Sequence, residues 1–332
     1  MGVKIIHGAN DGVFEVAGAK VETVRASLVD AFNIPADALA FVTGEQVERT
    51  YRLHPDDTLE FVKQKGKKGR YPGGKTKLAK QIIPLLLPHL REGIEYREPF
   101  FGWGAIGLRL LHTRKLTSIW INDKHPGVAA YWTSVIQYPD ALIEVVQSFV
   151  PTRAAFDSFK RNMLSQVTQP VPTTRNTLVL LGFQKLALHR MSFSGLGEMA
   201  GGPMSDILSR WKPNAIRNKI RRDHQALSRV KIHGDCCTCL DFEEMRTGDN
   251  NLLYLDPPYY LKGPECYPLA FEDQDHLRLA GLLRNSTSPW LLSYDDCPEI
   301  RALYPWAVVE PIPVRYSING AILKNELLIR PK

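Results

Sequence analysis

From residue 71 to the C-terminus, runs with strand character alternate with runs of helical spacing. That alternation restricts this part of the chain to an α/β domain on a largely parallel sheet. "TKLAKQIIPLLLPHL" reads as a helix with two late prolines, and "IEYREPFFGWGAIGLRLLH" as a strand, a glycine turn and a helix. "SIWINDKH" is a strand ending at Asp123, while "VKIHGD", "NLLYLD" and "PWLLSYDD" are strands ending at Asp235, Asp256 and Asp295. Open α/β sheets bind ligands outside the carboxyl ends of their strands, so acids gathered there point to one site.

The first 65 residues have a different pattern. "VKIIHG" and "GVFEVAG" read as a strand pair around "ANDG", with Asp11-Gly12 as the turn. In "VETVRASLVDAFNI", Val21, Val24, Leu28 and Phe32 share a helical face. Strand-like runs follow at "LAFVTG" and "TLEFV", and "FVKQKGKKGR" then leaves the last strand for a Lys/Gly hinge. The ββαββ order resembles the β-grasp, or ubiquitin-like, fold. This sets a boundary near residue 65, with a small α+β domain at 1–65 and a large one at 66–332.

Charge divides at the same boundary. The chain of 332 residues carries +7, and residues 1–65, with 7 Lys+Arg against 10 Asp+Glu, contribute −3 of it. The large domain is therefore basic, which suits a polyanion partner, and the acidic small one is a poor DNA clamp. It reads as a docking domain for a protein partner or for self-association, or else as a lid over the cleft. No apolar run approaches the roughly 18 residues of a membrane span. Five cysteines, three of them in "GDCCTC", suit a reducing compartment, which points to the cytoplasm. No second ligand pair at zinc spacing accompanies them, so no metal is expected.

Two motifs carry chemistry. In "PFFGWGAIG", Gly102 and Gly104 precede a helix start, where backbone can approach a ligand closely. Asp123 follows at the next strand end, placed to accept ribose hydroxyls, and the full G-x-G-x-x-G spacing of dinucleotide folds is absent. In "NLLYLDPPYYLKG", two prolines end a strand immediately after Asp256. The Asp256 carboxylate and the Pro257 carbonyl can each accept one hydrogen of a nucleobase amine. This draws the nitrogen toward tetrahedral geometry and frees its lone pair for attack on a methyl sulfonium. Pro258 stiffens the turn, and Tyr259 offers a ring on which an extruded base stacks.

"YLDPPY" with "YREPFFGWG" upstream resembles the DNA N6-adenine methyltransferases, specifically the DNA adenine methylase (Dam) group. "RYPGGKTKLAKQI" is similar to that family's opening cofactor loop. "LLSYDDCPEIRALY" and "VRYSINGAILKNELLI", with its Ser317-x-Asn319-Gly320 turn, are similar to its closing strands. The resemblance runs from about residue 70 to the C-terminus. It implies a Rossmann-like S-adenosylmethionine-dependent sheet with an inserted helical target-recognition segment. By the same resemblance Tyr71 and Lys75 flank the methionine or adenine moiety, Pro99, Phe100, Gly102 and Gly104 line the cofactor cleft, and Asp123 binds ribose. Asp256, Pro257, Pro258 and Tyr259 serve the target base, with Asp256 grazing the cofactor. Trp103 either stacks on the cofactor or fills core. Asp235 and Cys236 stand where the family has a loop near the cofactor adenine, although packing explains Cys236 equally well.

Residues 174–222 form the implied recognition segment on double-stranded DNA. Arg190, Ser192 and Ser194 follow an apolar helix there, and "RWKPNAIRNKIRRDHQAL" supplies Lys212, Arg217 and Arg221 as phosphate contacts, with Arg70 beside the cofactor loop. Other readings are an amine methyltransferase acting on cytosine, RNA or a free base, and a non-catalytic nucleic-acid-binding module that keeps the fold. Asp before the proline pair favours adenine through the resemblance, and intact Asp256, Tyr259 and glycines argue against a dead site. The broken dinucleotide spacing counts against a nucleotide-dependent oxidoreductase.

Overall fold

The computed structural model describes residues 2–7, 10–29, 31–32, 34, 38–43, 45–62, 75, 78–246, 250–261, 263–316 and 322–332. Arg70, Tyr71, Ser317, Asn319 and Gly320, all singled out from sequence, lie outside the described residues. Contacts divide the chain into two compact units, Met1–Gly69 and Arg70–Lys332.

The first unit holds β1 (Val3–His7), β2 (Asn10–Phe14), α1 (Val21–Leu28), β3 (Leu39–Val42), β4 (Glu45–Val47) and β5 (Thr58–Val62). Its sheet runs β2-β1-β5-β3-β4, with β1 and β5 parallel and the other pairs antiparallel. Val21 and Val24 of α1 share a core with Val3, Ile5, Leu59 and Phe61. Two sequence expectations need correction. Asp11 and Gly12 are not a turn but pair with Ile6 and Ile5 inside β2. A fifth strand, β4, was not foreseen, because three residues on a sheet edge are too few to show a period of two.

The second unit continues with α2 (Ala79–Leu86), β6 (Glu95–Glu98), α3 (Gly107–His112), β7 (Ser118–Ile121), α4 (Pro126–Gln137), α5 (Pro139–Ser148), α6 (Arg153–Gln166), α7 (Arg175–Met191) and α8 (Pro213–Leu227). After these come β8 (Lys231–Ile232), β9 (Asn251–Leu255), α9 (Gly263–Cys266), α10 (Asp273–Arg284), β10 (Trp290–Asp295), α11 (Pro298–Leu303), β11 (Val308–Tyr316) and β12 (Ile322–Arg330). The sheet runs β11-β12-β10-β9-β6-β7-β8, with β10, β9, β6, β7 and β8 parallel and β12 and β11 forming an antiparallel hairpin on one edge.

Side chains alternate across the sheet as strand geometry requires. On β9, Leu252 and Tyr254 enter one core with α4, α5, α7 and α8, while Leu253 and Leu255 enter another with α10 and α11. On the first face α7 lies close against α4, since a Cβ on Gly182 would stand 2.6 Å from the Tyr131 Cα. From β6 the chain builds outward to β7 and β8 on one side, and β9 and β10 later fill the other. The strand order therefore reverses between β6 and β9, which opens a crevice at their carboxyl ends.

Candidate active site

That crevice is a cleft, partly open to solvent, lined by both Asp256 and Asp123. Asp256 stands one residue beyond β9, its side chain 19% exposed. Its Oδ1 accepts hydrogen bonds from Ser293 Oγ (2.9 Å) and Lys75 Nζ (2.8 Å). Ser293 spends its single proton on Asp256, so the Tyr254 hydroxyl, 2.9 Å away, donates to Ser293. Oδ2 takes no hydrogen bond among the described residues and remains available to a ligand. Burial pushes the Asp256 carboxyl up, Lys75 pulls it back, and the balance lies at about 6.

Lys75 is itself only 2% exposed. Besides Asp256 it meets Glu326 Oε2 at 3.5 Å and donates to the Tyr259 hydroxyl at 2.5 Å, and that hydroxyl donates to Glu326. Burial works against the ammonium, but the two acids outweigh it and hold the Lys75 pKa above its usual value. The expected Tyr259 ring is thus tied down at its hydroxyl end, and it does not line the cleft. The loop that follows is clasped by Asp295, whose two oxygens accept the Tyr260 and Leu261 N–H groups at 3.0 and 2.9 Å.

Asp123 organises the other half. Its Oδ2 accepts the Gly102 N–H and its Oδ1 the His125 N–H, each at 2.9 Å, so one carboxylate fixes the glycine loop and its own loop together. Each oxygen keeps a lone pair for a further donor. Gly102, at φ 50°, lines the cleft with open space where a Cβ would stand. Gly104 is buried at φ 70° and serves the turn rather than the cleft wall. Trp103 lines the cleft while stacking on His189, ring centroids 4.3 Å apart.

The structure brings Lys75, Pro99, Phe100, Gly102, Trp103, Asp123, Asp256 and Pro258 to one cleft. It adds residues that sequence reading missed. Phe242 and Phe271 pack with Phe100 into an apolar wall, with centroids 5.5–5.8 Å apart. Glu98 sits at the cleft floor, where burial raises its carboxyl to about 8 and leaves it uncharged at neutral pH. Its Oε2 accepts the Tyr96 hydroxyl (2.7 Å) and the Gly107 N–H (2.9 Å).

Other expected residues lie elsewhere. β8 stops at Ile232, so Asp235 does not end a strand; it is exposed at φ 54°, and neither it nor Cys236 lines the cleft. Leu240 and Phe242, a few residues on, take that place. Ser192 is fully buried, its Oγ accepting the Gly197 N–H at 2.8 Å, so it braces a turn and cannot reach DNA. Arg190 and Ser194 are half-buried, the latter at φ 51°. Lys212 and Arg221 are exposed at the start and along the length of α8, with Arg217 half-buried between them. Among the described residues no cluster of three His, Cys, Asp or Glu could hold a metal ion, and no helix is long and apolar enough to cross a membrane.

No match to the chain was found among curated proteins. The model of the D12 class N6 adenine-specific DNA methyltransferases matches residues 71–316, spanning β6 to β11 with both acid-bearing loops, and the chain belongs to that family.

Proposed function

We propose that this protein transfers a methyl group from S-adenosylmethionine to the N6 amine of adenine at specific sites in double-stranded DNA. The observation that carries this reading is the division of labour on Asp256. Oδ1 is committed to Ser293 and Lys75, and Oδ2 is left for an amine hydrogen beside a cleft with a second acid, Asp123. Bound S-adenosylmethionine supplies an electrophilic methyl sulfonium. The residues present suit it: Asp123 has acceptor capacity for ribose hydroxyls, Gly102 leaves room for close approach, and the Phe100–Phe242–Phe271 wall suits an adenine ring. Asp256 Oδ2 and the Pro257 carbonyl would accept the two hydrogens of the target amine; as its nitrogen takes the methyl group the methyl–sulfur bond breaks to leave a thioether, and the surplus N–H proton departs to solvent. Catalysis is then positioning and electrostatic preorganisation. Incubating the protein with duplex DNA and tritiated S-adenosylmethionine, then mapping modified bases by sequencing, tests this. Label on cytosine, on RNA alone, or on no nucleic acid would overturn it.

Asp123→Ala is expected to weaken S-adenosylmethionine binding roughly ten- to a hundred-fold, the worth of hydrogen bonds to a charged acceptor. Turnover at saturation should change much less. Calorimetric titration checks this, and an unchanged dissociation constant would remove Asp123 from the ribose role.

Exposed Lys212 and Arg221, at the start of and along α8, with half-buried Arg217 between them, support a phosphate-contacting face in the 174–222 recognition segment, together with Arg190 and Ser194. Lys212, Arg217 and Arg221 then act in positioning. Each phosphate contact contributes about −0.9 to the log–log dependence of DNA affinity on salt. Arg221→Ala should therefore flatten that slope by about one while leaving the methylated sequence the same. A changed sequence preference would make Arg221 a base reader instead.

The N-terminal unit is read as a β-grasp domain, a reading its β2-β1-β5-β3-β4 sheet and single described helix support. Its acidic balance supports docking to a protein partner or a second copy. A chain starting at Lys65 is expected to keep cofactor binding and methylation within a factor of a few. A folded truncation that has lost either would show the unit to be part of the catalytic machinery.

A further inference from the structure

Beside the main cleft is a smaller recess that shares Gly102, Trp103, Asp123 and His125 with it and is closed by Lys185 and Glu198. Three elements meet there. His125 is the N-cap of α4, Lys185 lies in α7, and Glu198 sits in a short 3-10 turn, Gly197–Met199, that follows α7. Glu198 is 2% exposed, and one of its oxygens, Oε1, accepts from both Lys185 Nζ (2.5 Å) and His125 Nε2 (2.7 Å). The tautomer follows from the opposite ring nitrogen. Gly127 N–H donates to His125 Nδ1 at 3.0 Å, which puts the single proton of the neutral ring on Nε2; Lys185 Nζ, also 3.0 Å from Nε2, then shares Glu198 Oε1 with that proton rather than donating to the ring. Burial keeps the ring neutral, lowering its pKa against the pull of Glu198.

The backbone of His125 donates to Asp123 Oδ1, so the imidazole that Glu198 grips belongs to the residue that also orients the cleft acid. On its other side, Glu198 shares a turn with Gly195 and Gly197. Gly195 O accepts from His189, Gly197 N–H donates to buried Ser192, and the neighbouring Phe193 is 50% exposed. Glu198 Oε2 is buried and takes no hydrogen bond among the described residues. Burial works against the Glu198 carboxylate, but Lys185 and His125 outweigh it and hold its pKa well below the usual range. Its effect on the site is orientational: it links a largely buried turn, flanked by the exposed Phe193, to the cleft acid through two hydrogen bonds.

We infer that Glu198 is a positioning residue which, through His125, couples the turn after α7 to Asp123, so that DNA on the turn and S-adenosylmethionine in the cleft strengthen each other's binding. The inference rests on the methyltransferase reading above.

Two double variants separate orientation from charge balance. Lys185→Met with Glu198→Gln removes both charges but keeps an amide oxygen for His125 Nε2–H. Lys185→Met with Glu198→Leu removes both charges and the acceptor. S-adenosylmethionine is titrated into each full-length protein, alone and with sheared duplex genomic DNA. Wild type and the Gln double variant should bind within about two-fold of each other, with DNA tightening the cofactor by roughly five-fold or more, as coupled sites do. The Leu double variant should bind about ten-fold more weakly, with the DNA effect lost. His125→Ala should reproduce that loss in the wild-type chain and in the Gln double variant, and adding it to the Leu double variant should cost nothing more, which keeps the test decisive if the Leu double variant does not fold. Equal affinities for the Gln and Leu variants, additive losses with His125→Ala, or no DNA effect in the wild type would each overturn the inference. Failure of wild-type protein to bind S-adenosylmethionine at all would instead overturn the methyltransferase reading.

Discussion

Asp256→Asn is expected to reduce methyl transfer by at least roughly a thousand-fold, at the upper end of what removing one preorganised polar group costs. Cofactor affinity should stay within a factor of a few. The amide keeps an oxygen for Ser293 and Lys75, so the cleft should stay folded while the acceptor facing the target amine loses its charge. Tritium transfer alongside calorimetry measures both quantities, and near-normal transfer would refute the assignment. On the proposed mechanism the same carboxylate should set the acid limb of activity. Its pKa of about 6 lies above the ordinary aspartate range, and the working form is ionised. The value of kcat/KM for the cofactor should therefore fall as pH drops through about 6, approaching ten-fold per unit below it. A limb near 4 would mean that burial does not govern this acid.

Lys75→Met should be the most destabilising single change in the site. It removes the buried cation that the half-buried Asp256 and the buried Glu326 both face. Breaking a buried pair by removing one partner costs about 3–5 kcal/mol. The sign of the pH dependence follows. Without Lys75 the Asp256 pKa in the folded protein rises further above its unfolded value, so the folded chain holds a proton that the unfolded chain releases. The loss is then smallest in acid and grows as pH rises through the new pKa. Urea titrations at pH 5 and pH 8 test both parts. A variant as stable as wild type at pH 8 would show that the two acids do not depend on Lys75.

Some of this site was legible because it is local in sequence. Asp123 and Asp256 each follow an apolar run, and the Gly102 turn is announced by the residues around it. The alternation of strands and helices gave the sheet that gathers them. Asp235 misled for the same reason: "VKIHGD" has strand composition, yet pairing ends at Ile232 and the acid turns outward. Ser293 and Glu326 could not be found this way, because their nearness to Asp256 exists only once β10 lies between β9 and β12. A weak signal was present, since Glu326 is a lone acid among the apolar residues of "ELLI" and calls for a buried cation. Phe242 and Phe271 come from loops with no periodic pattern, and their shared wall is a product of tertiary packing. Ser192 shows the opposite failure: a small polar residue near a glycine suited recognition by type but is spent inside the fold.

The contact between Glu326 and Lys75 joins the last strand of the domain to the residue standing before its first described helix. During synthesis at about 5–20 residues per second, Asp256 and Lys75 can meet without Glu326 until β12 leaves the ribosome and inserts beside β10. A nascent chain, or one cut short by a stop codon before residue 326, would carry both acid-bearing loops and still lack Glu326, the second acid at Lys75. Completion of this charge cluster is therefore a late event in synthesis, dependent on the last strand of the sheet.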